Sequence, residues 1–302
     1  MQTPSTPPVC NYEGSDYQDS FWEKGGRAYE DGCEAVALKR LLPPSGRRLL
    51  ELGAGAGRNT PRYSGYKHIT LVDYSRTQLL QAQARLGASE PYRYVAADIY
   101  RLPFVEGLFD GATMIRTLHH MAEPALALAQ VRRVLEPGAA FILEYANKRN
   151  LKSMLRYLLR KQAWSPYTRE AVEYIPLNFD FHPAAILEWM RGADFTIERT
   201  LTVSHLRVGF LKKLLPARLL VAVDSILQLT GGLFQLTPSV FLRASASVAG
   251  AKAQEGAFFA CPACATPLED TPPLIHCPAC GQQYPVIDCI YDFRLNAPAG
   301  VD

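Results

Sequence analysis

What the chain lacks narrows the possibilities first. No uninterrupted apolar run in its 302 residues reaches the roughly 18–20 that a membrane span needs. The opening residues, MQTPSTPPVCNYEG, show no basic stretch followed by an apolar core, so no signal peptide is expected. The expected compartment is the cytoplasm, with peripheral attachment to a membrane left open. Charge of one sign is not in excess, because 32 basic and 29 acidic residues leave a net +3, too little to name a partner. A disulfide-like scatter of cysteines is also missing. Of 7 cysteines, four fall in two CPAC units, Cys261/Cys264 and Cys277/Cys280, while Cys10, Cys33 and Cys289 stand apart. Without an export signal, paired Cys-x-x-Cys units read as metal ligands.

The composition, 48% hydrophobic and 20% charged, is that of a globular protein with room for a catalytic domain and a small appendage. Residues 1–16 are rich in Pro, Ser and Thr and are expected to be disordered. Apolar spacing from about Tyr17 to Leu42 predicts a helix, ended by Pro43-Pro44-Ser45-Gly46. Short apolar runs follow at Arg48–Leu52, Ile69–Val72, Tyr92–Ala96, Gly111–Ile115 and Ala140–Glu144. Helical stretches such as Arg76–Leu86 and Pro124–Leu135 separate them. That alternation predicts a doubly wound, mostly parallel α/β sheet within residues 17–247. Two insertions, about 146–182 and 207–236, interrupt it and are expected to form helical caps. Between and after them lie a helix at Pro183–Arg191 and strands at Phe195–Ser204 and Thr237–Ser247. Residues 248–256 (VAGAKAQEG) read as a linker, and 257–296 as a separate module.

The chemistry concentrates in LLELGAGAG, residues 49–57, where an apolar strand runs into three alternating glycines. Glycine suits a sharp turn that a nucleotide-like ligand must approach closely. The dinucleotide pattern G-x-G-x-x-G is absent: with Gly53 as its first position the sixth is Arg58, and with Gly55 as its first the sixth is Thr60. Asp73 ends the second strand about 20 residues on, where a carboxylate receives ribose hydroxyls. Asp98 ends the third strand. Leu102-Pro103-Phe104, Phe109-Asp110 and Val134-Leu135-Glu136-Pro137-Gly138 follow in order.

In this order and spacing, residues 48–145 resemble the class I S-adenosylmethionine-dependent methyltransferases, in shape the type 11 group. The resemblance implies a Rossmann-like fold and S-adenosyl-L-methionine as cofactor. It places the cofactor against Glu51, Gly53, Ala54, Gly55, Gly57, Asp73, Tyr74, Asp98, Ile99 and Arg116. Asp98 would meet the adenine amino group and Ile99 pack on the ring. The Asn/Asp-Pro-Pro-Tyr/Phe loop of exocyclic-amine methylating relatives is replaced by Ile115-Arg-Thr-Leu-His-His-Met121, which favours oxygen or carbon as the methylated atom. His119 and His120 lie at the expected mouth, where one of them is a candidate base or a helix cap. Glu144, Tyr145 and Asn147 are candidates for the acceptor wall. Tyr17, Phe21, Arg27 and Tyr29 are candidates for the methionine end of the cofactor.

From Tyr145 to Arg169 there are seven basic residues and no acidic one, interleaved with Leu151, Met154, Leu155, Leu158 and Leu159. Arg207, Lys212, Lys213 and Arg218 repeat the theme among Phe210, Leu211, Leu214 and Leu215. Three readings fit: a cap with a basic rim, a membrane-surface helix serving a lipid-like acceptor, or contact with RNA phosphates. Leu219–Phe234 is apolar, but Asp224 and Gly231-Gly232 interrupt it.

Cys261-x2-Cys264-x12-Cys277-x2-Cys280 has the spacing of a four-thiolate ribbon holding structural zinc, with His276 and Cys289 as bystanders. The module resembles the small zinc-ribbon activator of tRNA and translation-factor methyltransferases. The usual Asp-Gly-Ile-Pro of that family is Asp288-Cys289-Ile290-Tyr291 here. Three functions are compatible with these features: methylation of a small or lipid-like acceptor, methylation of RNA, and cofactor binding without turnover. The oligomeric state is not legible.

Overall fold

The computed structural model describes residues 7–15, 22 and 25–295. The N-terminal half begins with α1 (Ala28–Leu41), β1 (Gly46–Leu52), β2 (Tyr66–Asp73), α2 (Arg76–Leu86) and β3 (Tyr92–Ala96). It continues through β4 (Phe109–Met114), α3 (Pro124–Val134) and β5 (Leu135–Ala146). The first insertion holds α4 (Leu151–Leu158) and the hairpin β6 (Val172–Ile175) and β7 (Asn178–Asp180). After α5 (Pro183–Gly192) and β8 (Phe195–Val203), the second holds α6 (Gly209–Leu214) and α7 (Ala217–Leu227). Then come β9 (Ser239–Ala246) and five short strands: β10 (Phe259–Ala260), β11 (Pro267–Leu268), β12 (Leu274–His276), β13 (Gln283–Ile287) and β14 (Ile290–Asp292).

Strands β3, β2, β1, β4 and β5 pair in parallel, and β9 and β8 extend that edge antiparallel. Alternate residues of β1 serve opposite faces: Leu50 and Leu52 enter one core, Leu49 the other. Burial on both faces is why these strands read as apolar runs rather than alternations. The strand order reverses between β1 and β4, the crevice where such sheets bind ligands. The first insertion differs from expectation, because its second half is a β-hairpin rather than helix. Among the described residues no helix is long and apolar enough to cross a membrane.

The C-terminal module is not tethered loosely. Strand β14 pairs in parallel with β3, matching Ile290 to Tyr94 and Asp292 to Ala96, so β14, β13 and β12 complete one ten-stranded sheet. Asp288 and Cys289, at φ 53° and 58°, form the two-residue turn between β13 and β14. The sequence Asp288-Cys289-Ile290-Tyr291 thus falls at the turn that aims the docking strand. Residues 248–256, read as a linker, lie against the body: Ala253 N–H donates to Gly107 O at 2.9 Å, and Arg132 grips Ser247 O and Ala249 O. Phe259 is fully buried between Phe104, Tyr291 and Phe293. Arg93 lies over Phe258 at 4.2 Å and pairs with Asp270 at 3.2 Å. Module and sheet share a single core, and Phe259→Ala should lower stability by about 3–5 kcal/mol. Calorimetry should show one transition for the whole chain; two separate transitions would contradict the shared core.

Candidate functional site

At the reversal point opens a cleft of about 1070 Å³, open to solvent on one side. Its floor is the turn after β1. Gly53 and Gly55 take φ 64° and 53°, a conformation costly for residues with a Cβ. At Gly53 a Cβ would also lie 2.1 Å from Thr117 Oγ1, whereas at Gly55 it would meet only Gln78 Oε1, at 3.7 Å. Gly57 packs towards α2, where a Cβ would meet Leu86, and does not reach the cleft wall.

Asp73 ends β2 beside this turn. Gly55 N–H donates to one carboxylate oxygen and Ser75 N–H to the other, each at 2.9 Å. Burial raises its pKa while these two donors pull it down. Tyr74, Ile99, Ala54, Arg116, Glu51 and His120 line the same cleft. Asp98 does not: its carboxylate accepts Tyr100 N–H at 2.9 Å and caps the short turn from Ile99 to Arg101. His119 stacks 4.0 Å from His120 but is also outside the wall. Of the two histidines, only His120 reaches the cleft. Its Nδ1 lies 2.9 Å from Leu177 O, so that nitrogen carries the proton, and Nε2 accepts from Tyr12 Oη at 3.1 Å. Burial holds the His120 pKa below its ordinary value.

Residues 7–15, expected to be disordered, instead form a strap over the cleft. Val9, Cys10 and Tyr12 line it. Glu13 fastens the strap, accepting Arg76 N–H and Thr77 N–H at 3.0 Å at the start of α2. Arg294, just past β14, reaches Glu13 at 3.3 Å and Tyr74 O at 3.2 Å. The C-terminal module thus touches the site from beneath Tyr74.

A buried carboxylate that no sequence motif singles out organises the far wall. Glu34 of α1 sits between Arg58 at 2.6 Å and Arg116 at 2.6 Å. Burial alone would raise its pKa, but Arg116 and then Arg58 hold it below the ordinary value. Trp22 covers both guanidiniums, at 3.5 Å and 4.9 Å. Arg116 itself is at φ 55°, its N–H held by Glu144 at 3.0 Å. The signal for this wall was present in Glu30, Asp31 and Glu34, three acids clustered in the first half of α1.

Several candidates turn out to be structural. Glu144 also accepts from Ser239 at 2.6 Å, Tyr145 donates to Gln235, and Asn147 holds Gln235 O and Thr237 O. Tyr29 donates to the buried Asp224 at 3.1 Å, and Arg27 pairs with Glu30. Tyr17 and Phe21 lie outside the described residues.

The four CPAC sulfurs come within 4.8 Å of one another, with Cys261–Cys280 at 3.6 Å and Cys264–Cys277 at 3.5 Å. A tetrahedral ion with metal–sulfur bonds of about 2.3 Å spaces its sulfurs about 3.8 Å apart, so the set fits one ion. Matching knuckles hold it: Ala265 N–H donates to Cys261 O and Gly281 N–H to Cys277 O, both at positive φ. His276 and Cys289 are not part of the cluster.

Residues 50–143 match the family described as Methyltransferase domain. The O-methyltransferase cnsE of Penicillium expansum is 34% identical over 109 residues, 34% of this chain and 40% of that protein. A demethylmenaquinone methyltransferase of Clavibacter sepedonicus is 28% identical over 172 residues, covering 53% of this chain and 70% of its own. The chain thus spans well under two thirds of cnsE. Among solved structures, a complex of the Haloferax volcanii Trm112 methyltransferase activator with a candidate methyltransferase gives a TM-score of 0.54 at 17% identity. That likeness covers 76% of this chain and 96% of the matched one, and it is a likeness of fold.

Glu51 gives the site a pH signature. Burial raises its carboxyl to about 7, although Thr60 Oγ1 donates to it at 2.6 Å. A carboxyl raised in the fold binds its proton more tightly there than in the unfolded chain. Its contribution to stability is therefore full below about pH 4.5 and lost as pH rises through about 7. Glu51→Gln removes this loss. The variant should gain up to about 3 kcal/mol on the native protein between about pH 5 and pH 8. Denaturant melts across that range check it; parallel pH profiles would refute it.

Proposed function

We propose that this chain, whose residues 50–143 belong to the methyltransferase domain family, transfers a methyl group from S-adenosyl-L-methionine to a small or lipid-like acceptor at oxygen or carbon. The observation that carries the reading is the junction of the Gly53–Gly55 turn with the Asp73 carboxylate at the floor of the cleft. Asp73 and Gly55 suit a ribose, Ile99 an adenine ring, and the Arg58/Arg116/Trp22 wall the polar end of the donor. When bound, the donor supplies an already activated methyl group on sulfur.

The chain's part is to hold the acceptor in line, exclude water and receive a proton where one must leave. Neutral His120 has the protonation state that a base requires. Its Nδ1–H is fixed on Leu177 O, and the Nε2 lone pair takes the Tyr12 hydroxyl, whose place an acceptor hydroxyl would have to take. The strap and the β6–β7 hairpin meet at this one imidazole and close the acceptor side. We assign Cys261, Cys264, Cys277 and Cys280 to a structural zinc ion, since four thiolates leave no open coordination position.

A second reading, an RNA-modifying methyltransferase, is favoured by one observation. The ribbon is seated on β3 in cis, and the likeness to the Trm112 activator complex is in keeping with that arrangement. Incubating the protein with labelled donor and separate lipid, metabolite and RNA extracts separates the two.

Calorimetric titration with S-adenosyl-L-methionine tests what both readings share. Asp73→Ala should weaken binding by about tenfold or more, the loss of charge-assisted hydrogen bonds. Unchanged affinity would remove the cofactor assignment. His120→Asn should retain donor binding and lose turnover, and the native acid limb should lie below about pH 6.5. The purified protein should release one zinc per chain. Cys264→Ser and Cys277→Ser should lose it and unfold earlier, and retained zinc with a native melt would contradict the assignment.

A further inference from the structure

We infer that the two insertions together form a docking surface for an anionic phospholipid membrane. A helix of a globular protein normally turns its apolar stripe inward. In α4 the stripe faces out: only Ser153 is buried, while Leu151, Leu155 and Leu158 are exposed, Leu158 by 76%. This placement is imposed by the fold. Asn150 caps the helix through Ser153 N–H at 3.0 Å, and Leu151 N–H is tied to Leu236 O at 2.8 Å. The same bond joins the two insertions. Next to it stand Leu233 and Phe234, 81% and 63% exposed, and α6 adds Phe210 and Leu214 at 65% and 73%. Tyr174 and Ile175 carry the exposed apolar rim onto the hairpin whose Leu177 O holds His120. Exposed apolar side chains on both insertions, joined at the Leu151–Leu236 bond, mark an interface.

Charge selects the occupant. Some basic residues are already engaged inside the protein. Lys148 is buried on Thr168 O and Glu170 O, and Arg207 and Lys212 neutralise Glu30. Arg149, Lys152, Arg156, Arg160, Lys213 and Arg218 stay exposed among the leucines. Within 145–169 and 199–236 the only acid is Asp224, which is fully buried. Exposed cations around an apolar centre suit anionic headgroups over acyl chains, with the exposed carboxylates Glu170 and Glu173 confined to the hairpin edge. On α4 the centre of the surface is leucine, which offers a base no face to stack on. Docking in this orientation brings the acceptor side of the cleft to the lipid, and it is independent of whether methyl transfer occurs.

Co-sedimentation of the full chain with vesicles tests this. Binding is expected to phosphatidylcholine mixed with phosphatidylglycerol, weakened by salt, and not to phosphatidylcholine alone. Leu158→Asp with Phe234→Ser should abolish it, and Lys152→Glu with Arg156→Glu should weaken it roughly tenfold or more. Both pairs are exposed, so unchanged melting and donor binding should accompany the loss. Binding to neither vesicle overturns the inference, as does equal, salt-insensitive binding to both. Retention on tRNA without vesicle binding also overturns it. So does a dimer in ultracentrifugation that Leu158→Asp dissolves while vesicles are ignored.

Discussion

The parallel pairing of β14 with β3 is the contact on which the rest of this structure depends. It is only three residues long, yet it brings the aromatic side chains of the C-terminal module into the core of the sheet. Phe259, Phe293, Tyr284 and the knuckle residues Cys261 and Cys277 belong to the same packed cluster as Val95 and Phe104. The edge of β3 is covered, so its backbone donors and acceptors are satisfied rather than exposed. Because β14 runs towards the C-terminal ends of the parallel strands, the chain leaves it beside Tyr74. From there Arg294 reaches the strap through Glu13.

Much of the N-terminal half was legible because its signals are local. Tyr92–Ala96 and Arg76–Leu86 occur with the expected limits, and the glycines at 53 and 55 take the conformations their residue type permits. The CPAC spacing foretold the sulfur cluster because two knuckles need only neighbours in sequence. What was not legible depends on distant partners. Val9 and Tyr12 sit in a proline-rich stretch whose order comes from Glu13 on α2 and from Arg294, far along the chain. Asp98 has the right position at a strand end, but it caps its own turn and lies outside the cleft wall. Glu34 carries no motif of its own, and its role emerges only with Arg58 and Arg116 placed on either side of it.

Charge counted along the sequence overstated the basic character of the insertions. Asp224, an apparent interruption in an apolar segment, is a hub: Tyr29 and Gln228 donate to it, as do the N–H groups of Ser204 and His205. It anchors α7 to α1 and to the end of β8. Glu30, on the same α1, takes up Arg207 and Lys212. The second insertion is thus held by buried polar pairing, with its cations partly neutralised, whereas α4 rests on a cap and one backbone bond. The two caps differ in how much of their sequence is committed inward.

The segment at 248–256 has a further effect through its shortness. A module supplied by another polypeptide would leave β3 on dilution. Tethered by nine residues, it faces its edge at an effective concentration on the order of millimolar before any contact forms. The two halves are made in equal number and cannot be titrated apart, so their ratio does not vary with expression. With that edge filled from within, a free subunit of the same shape would find nothing to bind.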